Sequence, residues 1–314
     1  MKIRQVLDYG KMMEDRARMQ AYAAAITALC PGRTVCEVGL GLGPLSLMAL
    51  RAGAKKVYGV ELDPEAVELA TRVIRANGFD ASRFEALQGL SMKVELPEKV
   101  DVLISETLDS MGIGENTALF MNDAKRFLKD GGVFLPSRLD CYAALASPAG
   151  YRDRMTFWNT ALPAEFGLEY GPVAAELRAA RHTFAVNHGE VLSGWERWQT
   201  IDFAASSTLR PVSPLLFVPT REGEVLGLAW AFDATLAPGV KLRTFPEDAP
   251  THWQQGFHAF PQPVRVRAGD VVYVELHVAV DSIGSLQLQM NIASGAMRDV
   301  EHVVRQRLAV FAPA

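Results

Sequence analysis

A glycine-rich segment near the amino terminus places the tightest limit on how this chain folds. The run EVGLGLG at residues 37–43 directly follows a short apolar stretch, and a helix-forming stretch comes immediately after it. Glycines permit a sharp turn and a close approach of the backbone to a ligand, while the amino end of the following helix offers free N–H groups. This succession of strand, glycine loop and helix predicts a site for a nucleotide-type cofactor.

The residues around this loop alternate between short apolar runs and helical stretches. Residues 34–136 follow the pattern strand, helix, strand, helix, strand, helix, strand, with strands at TVCEVGL, KVYGVEL, VDVLISE and VFLP. Such alternation is typical of a doubly wound α/β domain with a parallel sheet. We therefore predict a Rossmann-like domain over residues 31–137. A helical lead-in over residues 1–30 precedes it, and Pro31 with Gly32 ends that helix.

The second half of the chain has a different character. After Pro136, alternating strands broken by proline and glycine replace most helices, as in LGLAWAFDATL and VRVRAGDVVYVELHVAV. We predict an antiparallel, β-barrel-like domain over residues 138–314. Residues 151–181 are helical in pattern and rich in aromatic residues, so we interpret them as an insertion into this domain.

Composition and charge argue against several classes of protein. The formal net charge of -4 over 314 residues gives no general attraction to nucleic acid or to an anionic membrane. The cysteines, Cys30, Cys36 and Cys141, lack metal-ligand spacing and fit buried apolar positions in a reducing compartment. The sequence shows neither a secretion signal nor an apolar stretch of the ~20 residues needed to cross a bilayer. We therefore expect a soluble, cytoplasmic protein without a metal site.

The second strand ends in Glu61, whose carboxylate can accept hydrogen bonds from ribose hydroxyls. The glycine spacing narrows the choice of cofactor, because Pro44 and Leu45 follow Gly43 where the dinucleotide pattern GxGxxG needs a third glycine. The form ExGxGxG favours S-adenosylmethionine. A dehydrogenase that binds NAD is the alternative at this point, and a turn without any ligand is a further one.

Two glutamates, Glu106 and Glu115, lie nine positions apart in the loop after VDVLIS. Because ligands of doubly wound sheets bind beyond the carboxyl ends of the strands, this loop should reach the same crevice as the glycine loop. Two carboxylates can hold a planar guanidinium through charge-assisted hydrogen bonds. From these acids alone, however, two solvated loop glutamates are the more ordinary interpretation.

The order of motifs along the chain resembles that of the protein arginine N-methyltransferase family. The matching segments are VCEVGLGLGPLS, VYGVEL, SETLDSMGIGE, GGVFLPSR and the tripeptide at residues 251–253, THW. Each motif alone is weak evidence, but together they occur in order over nearly the full length. The resemblance implies an S-adenosylmethionine-dependent enzyme that methylates a guanidino nitrogen of arginine in a protein or peptide and releases S-adenosylhomocysteine. It also implies a homodimer formed through residues 151–181.

Two alternatives stay open beside this interpretation. The acceptor could be free arginine or another small guanidino compound of a biosynthetic pathway. The fold could also serve as a non-catalytic dimeric binding module.

The resemblance implies roles for individual residues. Glu106 and Glu115 would hold the guanidine, Arg18 would pair with the carboxylate of the cofactor, and Asp15 would meet His252 and take part in accepting the departing proton. The other implied contacts are Met12 and Trp253 with the substrate, and Glu37, Gly39, Gly41, Gly43, Glu61, Ser91, Met92 and Glu106 with the cofactor.

Several positions depart from the family pattern. Thr107 stands where a tryptophan is usual, and three further positions of the same loop carry residues where aromatic or larger ones are common, which predicts a roomier or differently shaped substrate pocket: Ser110, Ile113 and Gly114. Met92 stands where a glutamate usually faces the adenine, so we expect Ser91 or a backbone group to take over that contact. Few residues precede Tyr9, which predicts a short lid over the cofactor.

Overall fold

The computed structural model describes residues 3–205, 209–280, 286–297 and 300–301. Two helices precede the first sheet, α1 (Ile3–Glu14) and α2 (Arg16–Leu29). The helical lead-in predicted over residues 1–30 is divided into two helices, because the chain bends at Asp15, whose backbone is extended. The Asp15 carboxylate accepts the N–H of Arg18 at 2.9 Å and thereby caps α2. The bend leaves α1 lying across the glycine loop.

A parallel sheet forms the amino-terminal domain, as predicted. Its strands are β1 (Thr34–Val38), β2 (Lys56–Glu61), β3 (Phe84–Gln88), β4 (Val100–Ser105) and β5 (Leu128–Leu135), and its helices are α3 (Pro44–Arg51), α4 (Pro64–Ala76) and α5 (Thr117–Ala124). The strand order is β3-β2-β1-β4-β5, and all neighbouring strands are parallel. This topology confirms the Rossmann-like fold. Strand β3 was not predicted, because its sequence, FEALQ, mixes polar and apolar residues at the edge of the sheet.

Antiparallel strands build the second domain. They are β6 (Arg138–Ala146), β7 (Arg181–Phe184), β8 (Glu196–Asp202), β9 (Val212–Phe217), β10 (Gly223–Ala237), β11 (Val240–Arg243), β12 (Gln255–Val266), β13 (Asp270–Val280) and β14 (Leu286–Ala296). Among the described residues, one sheet has the order β7-β12-β10-β6-β8 with β11 beside β10, and the other has the order β14-β13-β9. The predicted strand VRVRAGDVVYVELHVAV is divided by a turn between β12 and β13. Residues 206–208, 281–285, 298–299 and 302–314 of this predicted domain lie outside the described residues.

The predicted helical insertion lies between β6 and β7. It consists of α6 (Ala149–Thr156), a π-helical turn (Phe157–Ala161), α7 (Leu162–Phe166) and α8 (Gly171–Ala179). Its helices pack on the second domain through a small apolar cluster that includes Tyr151, Met155 and Ala174. Phe157, Phe166 and Tyr170 are exposed, although the rings of Phe157 and Tyr170 contact Trp158, which packs against that cluster.

One continuous hydrophobic core joins the two domains. Helix α2 contacts α3 on one side and strands β10 and β11 on the other. All three cysteines are buried, as expected for small apolar residues. No helix in the described parts of the chain is long and apolar enough to cross a membrane. The shared core fixes the loops at the carboxyl end of the parallel sheet against the second domain.

Candidate active site

Two adjoining cavities lie where the strand order reverses between β1 and β4, the usual ligand position of doubly wound sheets. The first, which we call the glycine-loop cavity, has a volume of about 390 Å³ and is lined by the glycine loop, α1 and Glu61. The second, the outer cavity, also measures about 390 Å³ and is lined by His252, Trp253 and Arg181 among others. Residues that line both cavities are Asp8, Met12, Glu106 and Glu115. The predicted glutamate pair therefore lies at the junction.

The three glycines of the loop adopt left-handed backbone conformations, with φ of 81° at Gly39, 53° at Gly41 and 77° at Gly43. A Cβ atom at position 41 would lie 2.8 Å from the Tyr9 ring, so α1 can approach only a glycine there. Gly39 and Gly41 line the glycine-loop cavity. Gly43 instead forms the amino-terminal cap of α3 and shapes the turn from behind.

Two acidic residues hold the glycine loop in place. Glu61 accepts the N–H of Gly41 at 2.9 Å with one oxygen, and its other oxygen accepts the N–H groups of Leu62 and Asp63 at 2.7 and 3.0 Å. Glu37 is buried and accepts the N–H of Ser46 at 2.8 Å and the Ser46 hydroxyl. Burial raises the pKa of Glu37 to about 8, although the Ser46 bonds oppose this rise. Both carboxylates line the glycine-loop cavity.

A smaller slot of about 200 Å³ extends the glycine-loop cavity past Gly39, Glu61 and Thr107. Ser91, which we expect, with a backbone group as the alternative, to take over the contact of the missing glutamate, lines this slot. Met92 is 39% exposed and is not among the described residues that line the slot or either cavity. Thr107, which stands in place of a bulkier residue, borders both spaces.

Arg18 and Glu106 form a buried ion pair at the floor of the cleft. Each side chain is only 4% exposed, and Arg18 Nε donates to Glu106 Oε2 at 2.9 Å, with Nη2 on the same oxygen. Nη1 of Arg18 donates to the Met12 carbonyl at 3.1 Å, which ties α1 to α2. Burial raises the pKa of Glu106, and the Arg18 charge opposes that rise. Arg18 was expected to face the cofactor; it lines the glycine-loop cavity, but its ion-pair partner here is Glu106.

Glu115 stands opposite as an available carboxylate. It is exposed at the mouth of the cleft and makes no hydrogen bond or ion pair with the residues that the structure describes. Partial desolvation of its carboxyl group against the wall of the cleft, followed by the negative charges of Glu106 and Asp109, raises the pKa of Glu115 to about 7, and Arg181 opposes this rise. A carboxylate with two acidic neighbours is well suited to receive a cation.

The tripeptide before β12 brings a histidine to the outer cavity. Asp15 Oδ2 accepts both the backbone N–H of His252 at 2.8 Å and its ring Nδ1 at 2.9 Å, so Asp15 and His252 meet as the resemblance implies. The proton of the neutral ring therefore belongs on Nδ1, which leaves Nε2 as an acceptor. Burial lowers the pKa of His252, the Arg18 charge acts in the same direction, and Asp15 opposes it. Trp253 donates its indole N–H to the Leu108 carbonyl at 2.9 Å. This bond anchors the loop of residues 106–115, which carries Glu106 and Glu115 and which we call the double-glutamate loop.

Sequence reasoning missed several residues of the outer cavity. Asp8, Lys11, Asp109 and Arg181 all line it. Asp109 accepts the N–H groups of Met111 and Gly114 at 3.0 and 2.8 Å, a turn that an aspartate before small residues could have signalled. No local signal pointed to Arg181, because its position follows from the pairing of β7 with β12.

The class of protein follows from a match over more than half of the chain, since residues 30–201 match the family described as "Methyltransferase domain". Among curated relatives, the "Arginine N(omega)-methyltransferase" of Streptomyces achromogenes subsp. streptozoticus is 31% identical over 278 residues, covering 84% of this chain and 74% of that protein. The "Probable protein arginine N-methyltransferase 6.1" of Oryza sativa subsp. japonica is 27% identical over 329 residues, covering 90% and 82%. The chain belongs to the protein arginine N-methyltransferase family.

Solved structures share the fold. The enzyme–prozyme complex of Trypanosoma brucei PRMT1 with AdoHcy superposes with a TM-score of 0.80 at 21% identity, covering 92% of this chain and 93% of that one. Protein arginine methyltransferase 10 of Arabidopsis thaliana gives a TM-score of 0.77 at 24% identity with the same coverage. The family match and the curated relatives confirm the family predicted from the order of motifs and set the dehydrogenase alternative aside, and the solved structures agree in fold.

Proposed function

We propose that this chain transfers a methyl group from S-adenosylmethionine to a guanidino nitrogen of arginine. The observation that carries the proposal is the position of Glu106 and Glu115 at the junction of the glycine-loop cavity and the outer cavity. A cofactor held on one side and an acceptor held on the other would meet at this junction. Relatives named as arginine methyltransferases support the same chemistry.

The residues of the glycine-loop cavity fit S-adenosylmethionine. Gly39 and Gly41 allow close backbone approach, Glu61 offers a carboxylate to ribose hydroxyls, and Ser91 lines the slot that would take the adenine. At the opposite end, the buried Arg18 guanidinium can meet the cofactor's carboxylate while it keeps Glu106. When bound, the cofactor supplies an electrophilic methyl group on a sulfonium.

The glutamate pair orients the acceptor. A guanidinium has a pKa above ~12 and no free lone pair, so carboxylates that hold it by charge-assisted hydrogen bonds can localise its charge away from the reacting nitrogen. Glu115 is free to bind it, whereas Glu106 must share its carboxylate with Arg18. Methyl transfer is an in-line displacement, so this orientation accounts for much of the rate acceleration.

His252 is the proposed proton acceptor. In the reaction, a nitrogen–methyl bond forms, the carbon–sulfur bond breaks with its electron pair going to sulfur, and one proton leaves the nitrogen. The neutral ring of His252 has Nε2 available and is held by Asp15 through Nδ1. Asp15 also stabilises the imidazolium that would form.

The acceptor is arginine in a protein or peptide, or free arginine. The family names favour the first, whereas the relative named "Arginine N(omega)-methyltransferase" and the small residues of the double-glutamate loop favour the second. Incubation with methyl-labelled cofactor and either free arginine or an Arg/Gly peptide, followed by mass spectrometry, separates them. Calorimetric binding of the cofactor without turnover on any guanidine would instead indicate a non-catalytic binding module.

We also propose that the chain forms a homodimer through its helical insertion. Phe157, Phe166 and Tyr170 are exposed there, and aromatic side chains are enriched at protein interfaces. Light scattering at micromolar concentration should give twice the mass of the chain, and Phe166→Asp should shift the protein to monomer. A monomeric wild-type protein would refute the dimer.

A further inference from the structure

One wall of the outer cavity carries a positively charged side chain that guanidine binding does not require. Arg181, the first residue of β7, lines this cavity with a side chain that is 39% exposed. Its Nη1 is paired with the Asp109 carboxylate, and its other donors form no hydrogen bond with the residues that the structure describes. One edge of the Arg181 guanidinium is therefore bonded to Asp109, and its other edge is available to bind a ligand.

The double-glutamate loop is shaped to accommodate this pair. A Cβ atom at position 114 would lie 1.9 Å from Asp109 Oδ2 and 2.5 Å from Arg181 Nη1, so only glycine leaves room for both. Asp109 is fixed in turn by the N–H groups of Met111 and Gly114. The small residues of this loop therefore do more than enlarge the pocket, because they bring a positive charge to its wall.

The charges around the outer cavity form a mixed pattern. Carboxylates are contributed by Asp8, Glu106, Asp109 and Glu115, and cations by Lys11 and Arg181. Arg181 is close enough to Glu115 to oppose the rise in the pKa of that carboxyl group. Beyond its guanidine, an arginine inside a peptide presents only neutral amides. A free amino acid presents a carboxylate and an ammonium group, which the mixed lining complements.

We propose that Arg181 binds the carboxylate of a free amino-acid substrate whose guanidine is held by Glu106 and Glu115. This inference rests on the proposed function and makes free arginine the preferred acceptor. The open edge of a guanidinium matches a carboxylate through paired, charge-assisted hydrogen bonds. The volume of the outer cavity, about 390 Å³, lies in the range of pockets for small molecules, roughly 300–1,000 Å³.

Agmatine, which is arginine without the carboxylate, tests this assignment. The wild-type protein should methylate arginine with a kcat/KM about 10- to 150-fold higher than agmatine, as expected for hydrogen bonds between charged groups. At about pH 9, where Glu115 is ionised with or without the Arg181 charge, Arg181→Gln should lower kcat/KM for arginine to the agmatine level, mainly through KM, and leave agmatine unchanged. Arg181→Lys should restore part of the preference. Arg197→Gln is the matched control, because Arg197 is a half-exposed arginine that also pairs with an aspartate, Asp140 at 3.6 Å, but lies on the second domain and does not line either cavity.

Two outcomes would overturn the inference while leaving the proposed function intact. Equal losses on arginine and agmatine in both Arg181 variants would mean that this residue only supports the loop. An Arg/Gly peptide methylated more efficiently than arginine, with no effect of Arg181→Gln, would place the preferred acceptor in a polypeptide. If the wild-type protein methylates none of these guanidines although it binds the cofactor, the proposed function itself fails.

Discussion

Replacing Glu106 and Glu115 one at a time should show that both residues are needed for methyl transfer but that only Glu106 contributes to the stability of the fold. Both Glu106→Gln and Glu115→Gln remove a carboxylate from the guanidine site, so each should reduce methyl transfer by about two to three orders of magnitude, as loss of a transition-state contact does. Their effects on folding should differ, because Glu106 is paired with Arg18 and Glu115 has no partner among the described residues.

The magnitude follows from the burial of the ion pair. Removing one partner of a buried pair typically costs about 3–5 kcal/mol, since the remaining charge is left without compensation. Arg18 and Glu106 are each only 4% exposed, so this range applies to them. Glutamine keeps one acceptor oxygen for Arg18, and we therefore expect a loss near the lower limit, about 3 kcal/mol. Glu115→Gln should leave the free energy of unfolding unchanged or slightly higher, because the ionised Glu115 carboxylate lies beside the negative charges of Glu106 and Asp109 and gains no partner among the described residues.

Urea denaturation at neutral pH measures both variants against the wild-type protein, and a cofactor-binding titration checks that the glycine-loop cavity is intact. Saturating S-adenosylmethionine should recover part of the lost stability in Glu106→Gln, because its carboxylate gives Arg18 a new partner. Equal free energies of unfolding for the two variants would refute the importance of the buried pair. Methyl transfer near the wild-type rate in either variant would refute the role of the glutamates.

Three further predictions follow from the same contacts. Trp253→Phe removes the hydrogen bond to the Leu108 carbonyl, so urea denaturation should show a loss of about 1 kcal/mol and methyl transfer should slow, with the cofactor Kd unchanged. Asp15→Asn should lower kcat at least about tenfold while retaining the cap of α2, since the His252 imidazolium loses its counter-charge; an unchanged kcat would argue against His252 as proton acceptor. In the wild-type protein, kcat/KM should rise as pH increases through about 7, where the Glu115 carboxyl group ionises, and Glu115→Gln should lack that rise; a wild-type profile flat between pH 6 and ~8 would contradict this.

The parts of the fold that depend on local sequence patterns could be predicted from the sequence. Apolar runs alternating with helices determine the doubly wound sheet, and the glycine loop and the double-glutamate loop follow from their positions after β1 and β4. Strand β3 was not predicted because this edge strand lacks a continuous apolar run. The division of the amino-terminal helix at Asp15 was not predicted, because helical periodicity continues on both sides of this capping residue.

Contacts between distant segments were harder to predict. The resemblance brought Asp15 and His252 together, but the pairing of Arg18 with Glu106 depends on how closely α2 lies against β4. Likewise, Arg181 reaches the outer cavity only because β7 joins the edge of the second domain's sheet. Such positions follow from tertiary packing, which residue type and spacing do not encode locally.

Direct detection of the product tests the central claim most simply. The wild-type protein, incubated with methyl-labelled S-adenosylmethionine and L-arginine, should yield arginine that carries the label on a guanidino nitrogen, together with S-adenosylhomocysteine. Glu115→Gln should bind the cofactor equally well and yield little product. Cofactor binding by the wild-type protein without label on arginine, agmatine or an Arg/Gly peptide would contradict the account.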